Sequence, residues 1–205
     1  MLLKICGLKD KENIEQIAAL RPDFMGFVFY SPSKRFVGEG FNMPVIPSEI
    51  KKVGVFVNAK ADYIIEKIDR YKLDFIQLHG NESSSFCEVM SHLVKVIKAF
   101  GMDEHFDFNV LNAYKNVCEY FLFDTKTTEH GGSGKQFDWT LLEKYDNTVP
   151  FFLSGGIGLE EIKEVQNLPT GQAGSKFKVY CVDVNSKFEI EPGLKDIEKL
   201  KKIKL

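Results

Sequence analysis

Two side chains in this sequence, Cys6 and Asp124, could act as a base and an acid. Each follows an apolar run, LLKI for the cysteine and YFLF for the aspartate. In a polar environment beside Lys4, the Cys6 thiolate would be favoured and could remove a proton from carbon. Asp124, kept protonated by partial burial or by a neighbouring carboxylate, could supply one. Such a pair on opposite sides of a bound sugar phosphate suits proton transfer between adjacent carbons.

Both residues also have an ordinary structural interpretation. A cysteine at the end of a strand is most often a small buried hydrophobe. Asp124 precedes a polar loop with three glycines, so this segment could be only a solvated turn, with Asp138 as the cap of the next helix. The functional alternative is a glycine-rich lid in which the backbone at Gly132 and Gly134 approaches the substrate closely.

Small residues follow two further strand signals near the end of the chain. Gly155 and Gly156 come directly after PFFLS at residues 150–154, and Asn185 and Ser186 follow KVYCVD at residues 178–183. Backbone N–H groups at such turns can point at an anion. We therefore predict a phosphate site there, although SGGIG taken alone could be a tight turn.

The overall composition excludes several classes of protein. The 205 residues carry a formal net charge of −2, which gives no overall attraction to nucleic acid or an anionic membrane, and no apolar run approaches the length of a membrane span. The four cysteines form no CxxC pair and no Cys/His cluster, and no secretory signal is visible. We expect a cytoplasmic protein with free thiols and a small-molecule sugar-phosphate substrate, without metal or cofactor, as a monomer or a homodimer.

Strand and helix signals alternate along the whole chain. Eight β-then-α units, with strands that begin near residues 2, 23, 52, 74, 94, 120, 150 and 178, predict an α/β protein: a (β/α)8 TIM barrel that forms a single domain over residues 1–205. The segment between the second and third strands is rich in Pro, Gly and Ser and should hold only a short helix. A doubly wound open sheet is the alternative.

Side-chain alternation within the strands predicts which residues face the barrel interior. If Leu3 and Ile5 contact the helices, Lys4 and Cys6 point inward. The same reasoning places five further polar residues there: Gln77, His79, Lys98, Asp124 and Asp183. Because an isolated buried charge is costly, the two lysines and two aspartates must pair with one another or bind a ligand.

Several motifs resemble the phosphoribosylanthranilate isomerase family of tryptophan biosynthesis. They are KICG at residues 4–7, GFVFY at 26–30 with SKR at 33–35, VGVFVN at 53–58, QLHG at 77–80, GGSGKQFDW at 131–139, SGGI at 154–157, and DVNSKFE with PGLKD at 183–196. These motifs occur in order and span nearly the whole chain. KICG, QLHG and GGSGKQFDW together are much more specific than any one motif.

The resemblance implies an Amadori rearrangement of N-(5-phosphoribosyl)anthranilate. Asp124 would be the general acid that protonates the ring oxygen, and Cys6 the general base that takes the proton from C2. Arg35 would bind the anthranilate carboxylate, and His79 would either position the substrate or be structural. The phosphate contacts of the family fall on the turns that contain Gly155, Gly156, Asn185 and Ser186.

The sequence departs from the family pattern in three loops, in one of which GGSG replaces GGTG and keeps a hydroxyl at Ser133. Lys34 stands where the family has Pro, which leaves Arg35 in place. Lys187 replaces a Gly in the loop after the eighth strand, so the geometry of phosphate binding can differ, although the added charge could favour an anion. The alternatives are another sugar-phosphate barrel enzyme, such as an epimerase or indole-glycerol phosphate synthase, and a non-catalytic phosphate- or flavin-binding barrel. Neither would need Cys6 opposite Asp124.

Overall fold

The strands of this protein form a closed barrel. The structure, a computed structural model, describes residues 1–126, 136–167 and 178–205. Eight parallel strands pair in chain order, and the eighth pairs with the first. They are β1 Leu2–Ile5, β2 Phe24–Val28, β3 Lys51–Phe56, β4 Phe75–Leu78, β5 Lys95–Met102, β6 Tyr120–Thr125, β7 Phe151–Leu153 and β8 Val179–Val184. The predicted (β/α)8 barrel is confirmed.

Helices cover the outside of the barrel. Four of the helices in the described residues have eight or more residues: α1 Lys11–Ala19, α2 Ala61–Tyr71, α3 Ser84–Ser91 and α4 Leu159–Asn167. Each has an apolar face; in α1 this face includes the buried Ile14 and Ile17. The side chains of Asp10 and Ser83 begin α1 and α3 by accepting a hydrogen bond from the backbone N–H three residues on.

In three of the units, the described residues between the strands form no α-helix, which differs from the prediction. After β5 and β6 the chain forms short 3-10 helices at Phe108–Ala113 and Trp139–Lys144. Asp107 and Asp138 accept hydrogen bonds from the N–H two residues on, which closes a short turn that competes with an α-helix. Residues 29–50, where a short helix was expected, form turns instead, because three prolines interrupt any helical hydrogen bonding.

A hairpin after β8 was missed in the sequence. β9 (Glu189–Glu191) pairs antiparallel with β10 (Leu194–Lys195), and Gly193 between them has φ +91°. The Pro-Gly pair between two short runs was the available signal for this turn. The last helix of the chain is short: α5 spans Ile197–Leu200.

The barrel interior has an apolar layer and, nearer the carboxyl ends of the strands, a polar one. The apolar layer is formed by Phe24, Val53, Phe75, Ile97, Ala99, Tyr120, Leu122, Phe152 and Cys181. Two residues further along their strands lie Gln77 and Asp183, and the Lys4 ammonium group on β1 donates to both, at 2.7 Å and 2.8 Å. The predicted inward direction of these three side chains is correct.

Lys98 does not join this interior, which corrects the prediction. Its neighbours Ile97 and Ala99 face the interior, so Lys98 points to the outer side of β5. There its ammonium group lies 3.2 Å from the carboxylate of Glu82, with both side chains about 3% exposed, and donates to three backbone carbonyls. Of the two lysines predicted for the interior, only Lys4 lies there.

Two expectations from the composition concern membrane-spanning segments and the state of the cysteines. Among the described residues there is no helix with the length and apolar character to span a membrane. All four cysteines are free and buried.

Candidate active site

One cleft at the carboxyl ends of the strands collects most of the predicted site residues. Those that line it are Cys6, Arg35, His79, Asp124, Gly155, Gly156, Asn185 and Ser186. This is the face of the barrel on which α/β-barrel enzymes carry their active sites. The other two predicted residues, Gly132 and Gly134, lie outside the described residues.

Cys6 sits at the end of β1, against the cleft. Its amide donates to the Val184 carbonyl at 2.9 Å, and its side chain packs against Gly26, where a Cβ atom would lie 2.7 Å from the sulfur. Burial raises the pKa of the Cys6 thiol, and the nearby Lys4 charge only partly opposes this. The expectation that Lys4 would favour the thiolate is thus wrong in its net direction, and the thiol predominates near neutral pH.

Lys4 and Asp183 form a buried ion pair below Cys6. Their side chains are 0% and 5% exposed, and Lys4 Nζ lies 2.8 Å from Asp183 Oδ2. Burial lowers the pKa of Lys4, but its interactions with Asp183 and Cys6 outweigh this effect and raise that pKa above its usual value. The second oxygen of Asp183, Oδ1, is buried without a hydrogen-bond partner among the described residues. Lys4 therefore stays charged beside the Cys6 sulfur.

Asp124 approaches the cleft from β6. Its Oδ1 accepts a hydrogen bond from the Thr125 amide at 2.8 Å, and its Oδ2 lies 3.4 Å from His79 Nε2. Gly155 packs closely against this carboxyl: a Cβ at that position would lie 3.0 Å from Asp124 Oδ1 and 2.8 Å from the Thr125 amide nitrogen. The carboxyl is about 16% exposed, so it can reach a ligand while its orientation is fixed by two neighbours.

Both ring nitrogens of His79 face polar side chains. Its Nδ1 is 2.8 Å from Gln77 Nε2, and its Nε2 faces Asp124. The ring is therefore held between the polar layer of the barrel interior and the candidate acid. Strand alternation placed Gln77 and His79 on one face, but it could not show this contact.

Arg35 is held by a carboxylate that the sequence analysis did not select. The Arg35 guanidinium donates through Nε and Nη2 to both oxygens of Glu189, with a shortest distance of 2.7 Å. Lys195 also donates to Glu189, at 2.7 Å, and is fully buried. Burial lowers the pKa of Lys195 to about 8, although the Glu189 charge opposes the shift. In the sequence, the contact of Arg35 with Glu189 and Lys195 was indicated only by the presence of charged residues in the motif at residues 183–196.

The turns after β7 and β8, where an anion site was predicted, both line the cleft. Gly155 and Gly156 both have positive φ, at +94° and +66°, which favours glycine. The side-chain oxygen of Asn185 accepts a hydrogen bond from Lys195 at 2.7 Å, which leaves the NH2 group of that side chain as a donor that could face an anion. Lys187 also lines the cleft and adds positive charge there.

The order of strands places these turns between the two reactive groups. Around the barrel, β7 and β8 lie between β6, which carries Asp124, and β1, which carries Cys6. A phosphate bound at these turns would hold an attached sugar between an acid and a base. Among the described residues, no group of three or more His, Cys, Asp or Glu side chains is arranged to hold a metal ion.

Comparison with known proteins gives a consistent result. Residues 3–204 match the profile of the family described as N-(5'phosphoribosyl)anthranilate (PRA) isomerase. The N-(5'-phosphoribosyl)anthranilate isomerase of Parabacteroides distasonis is 44% identical, over 98% of this chain and 90% of that protein. The crystal structure of phosphoribosyl anthranilate isomerase from Thermotoga maritima is 32% identical, with a TM-score of 0.81 over 98% of this chain and 96% of that one. Another solved isomerase, in complex with reduced 1-(o-carboxyphenylamino)-1-deoxyribulose 5-phosphate, has a TM-score of 0.77 at 28% identity over 98% of this chain and 96% of that one.

Proposed function

The chain belongs to the N-(5'-phosphoribosyl)anthranilate isomerase family, and from this premise we propose how its cleft performs the reaction. The substrate is N-(5-phosphoribosyl)anthranilate and the product is 1-(2-carboxyphenylamino)-1-deoxyribulose 5-phosphate, an intermediate of tryptophan biosynthesis. The observation that carries the proposal is that Cys6 and Asp124 line one cleft, with the glycine turn after β7 and the turn after β8 between them.

The first step opens the sugar ring. Asp124 gives its proton to the ring oxygen, the bond from that oxygen to C1 breaks, and the lone pair of the anthranilate nitrogen forms a C1=N bond. The carboxylate that remains is stabilised by the Thr125 amide, which donates to Oδ1, and by the neighbouring His79 ring. The two contacts hold the carboxyl in place, so little reorganisation accompanies the proton transfer.

The second step moves a proton off C2. Cys6, as the thiolate, takes that proton and an enolamine forms; loss of the proton from the enol oxygen and gain of one at C1 then give the ketone. The Lys4 ammonium group beside Cys6 supplies the positive charge that a buried thiolate requires. Because burial raises the pKa of the free thiol, the thiolate is a minor form before substrate binds.

The remaining predicted residues bind the substrate. The Glu189 contacts use Nε and Nη2 of Arg35, which leaves the Nη1 donors for the anthranilate carboxylate. The phosphate lies on the turns after β7 and β8, where Lys187 contributes charge. Gly132 and Gly134, which lie outside the described residues, remain predicted substrate contacts. The phosphate-binding residues are then Gly155, Gly156, Asn185 and Ser186.

A direct assay tests the proposed function. Purified protein is added to N-(5-phosphoribosyl)anthranilate without metal or cofactor, and loss of the fluorescence of that substrate is followed. We expect a rate far above spontaneous decay, and the double variant Cys6→Ala/Asp124→Asn provides the matched background. A rate for the unaltered protein equal to that of the double variant would refute the proposal.

A further inference from the structure

A chain of three polar contacts links the barrel interior to the candidate acid. Lys4 Nζ lies 2.7 Å from Gln77 Oε1, and Gln77 Nε2 lies 2.8 Å from His79 Nδ1. His79 Nε2 in turn lies 3.4 Å from Asp124 Oδ2. Lys4 and Gln77 are essentially fully buried, at 0% and 1% exposed, so water cannot replace these partners. The chain runs from β1 through β4 to β6.

The chemistry of the groups fixes the direction of the hydrogen bonds. An ammonium group only donates, so the atom of Gln77 that faces Lys4 must be the carbonyl oxygen. The amide NH2 of Gln77 must then face His79 Nδ1, and because NH2 only donates, Nδ1 must carry a lone pair. The single ring proton of His79 is therefore on Nε2, where it faces Asp124.

We propose that Gln77 is a positioning residue that sets the tautomer of His79 and keeps the ring neutral, so that the Nε2–H donates to Asp124. Protonation of Nδ1 would place two N–H donors 2.8 Å apart inside the barrel, with nothing to accept either one. This inference deepens the proposed function, since it rests on the assignment of Asp124 as the general acid.

A neutral ring and a charged ring would have different effects on catalysis. A charged imidazole beside Asp124 would favour the ionised carboxylate, so the acid would lack its proton before the substrate arrives. A neutral Nε2–H donor leaves that proton on the carboxyl and then, with the Thr125 amide, stabilises the carboxylate formed when the proton is given away. Gln77 thus makes His79 a hydrogen-bond donor to Asp124 that does not take the carboxyl proton of Asp124.

The other groups that face His79 show why the amide is needed. Asp124 on β6 and Asp183 on β8 are both close enough to attract positive charge onto the ring. Lys4 on β1 opposes it, but Asp183 neutralises this lysine at 2.8 Å. The Gln77 NH2 group, 2.8 Å from Nδ1, is the contact that disfavours a second ring proton.

The decisive experiment observes the ring nitrogens directly. We expect 15N NMR of the unaltered protein at neutral pH to show His79 as the neutral Nε2–H tautomer. In Gln77→Glu, a carboxylate of the same size accepts from both Lys4 and Nδ1, so the ring should become the imidazolium or the Nδ1–H tautomer. The control Gln16→Glu adds the same charge on an exposed position of α1 and should leave the His79 signals unchanged.

Kinetics separate positioning from a general structural effect. Gln77→Glu should lower kcat by about 10- to 100-fold, the range expected for loss of one hydrogen bond to a charged group, with KM nearly unchanged. In a His79→Ala background the same Gln77→Glu change should cost nothing further, because Gln77 acts through His79. Equal losses in the two backgrounds would show that Gln77 acts independently of His79 and would overturn the inference.

Each remaining outcome also decides the question. If Gln77→Glu does not fold, Gln77→Met removes the donor without adding charge, and the tautomer of His79 should then become mixed; an unchanged pure Nε2–H signal would overturn the inference. A charged ring or an Nδ1–H tautomer in the unaltered protein would overturn it as well. The proposed function is tested separately, since it fails only if the unaltered protein does not isomerise the substrate.

Discussion

Replacement of Glu189 by glutamine should weaken the fold and substrate binding together. The carboxylate of Glu189 accepts from two cations at once: Arg35 through Nε and Nη2, and Lys195 at 2.7 Å. Glutamine has the same shape but only one acceptor oxygen, so its NH2 group must face one of the two cations. We expect the oxygen to stay with Lys195, which is 0% exposed, and Arg35, which is 12% exposed, to move away.

The burial of these groups sets the size of both effects. Loss of one partner from a buried ion pair costs about 3–5 kcal/mol, because a buried charge is left uncompensated. For a chain of this length that corresponds to a decrease in Tm of roughly 6–20 °C. If Arg35 no longer presents its free donors to the anthranilate carboxylate, KM should rise roughly 10- to 100-fold. Because the carboxylate does not react, kcat should change by less than about threefold.

Two measurements check this reasoning. Urea denaturation gives the change in free energy of unfolding, and steady-state kinetics gives KM and kcat separately. The matched control is Glu191→Gln, which removes an exposed carboxylate from the same hairpin and should have little effect on either. A Glu189→Gln protein with unaltered KM and an unaltered urea midpoint would refute the assigned role of this carboxylate. A loss of stability with unaltered KM would show that Arg35 does not bind the substrate.

Three further predictions follow from the site. Cys6→Ala and Asp124→Asn should each lower kcat by orders of magnitude with little change in Tm; near-normal turnover in both variants would contradict the mechanism. Gly26→Ala should lower kcat by about 100-fold, because the added Cβ would displace the Cys6 sulfur. The control Gly40→Ala should leave kcat unchanged, because nothing lies within 4 Å of a Cβ at that position. Equal kcat values for the two variants would argue against a tightly positioned sulfur. The pKa of Lys195 is about 8 in the folded protein and 10.5 in its ordinary state. Between pH 8 and 10.5 the unfolded chain therefore binds a proton that the folded protein does not. The free energy of unfolding should rise by about 3 kcal/mol as the pH increases through this range. Urea midpoints of the unaltered protein and of Lys195→Met, measured across this pH range, give the contribution of Lys195, because the variant should lack the rise. Parallel curves of midpoint against pH for the two proteins would show that Lys195 makes no such contribution.

Much of the barrel could be predicted from the sequence because its strands are short apolar runs at regular spacing. Alternation within β1 and β6 correctly directed Cys6 and Asp124 toward one cleft. It failed at Lys98, because the run around this residue is apolar on both faces and gives no two-residue period. Strand alternation also placed Gln77 beside His79 but gave no distance between them.

The wrongly predicted helices and the missed contacts have a different cause. The sequence predicted helices where the chain forms 3-10 turns, because side-chain hydrogen bonds such as that of Asp107 depend on local geometry rather than on periodicity. Glu189 and Arg35 are 154 positions apart, and no local pattern reports which distant charge a side chain will meet. A pairing of this kind becomes visible only when the strands have closed.

The ion pair between Lys4 and Asp183 has a consequence for how the protein is made. These residues are 179 positions apart and face each other across the seam between the first and last strands. A buried ammonium group without an opposite charge is costly, and Lys4 gains this partner only when β8 pairs with β1. We therefore expect the candidate cleft to be complete only once the last strand of the barrel has been made and paired. The pairing that closes the barrel thus also fixes a positive charge beside the Cys6 sulfur.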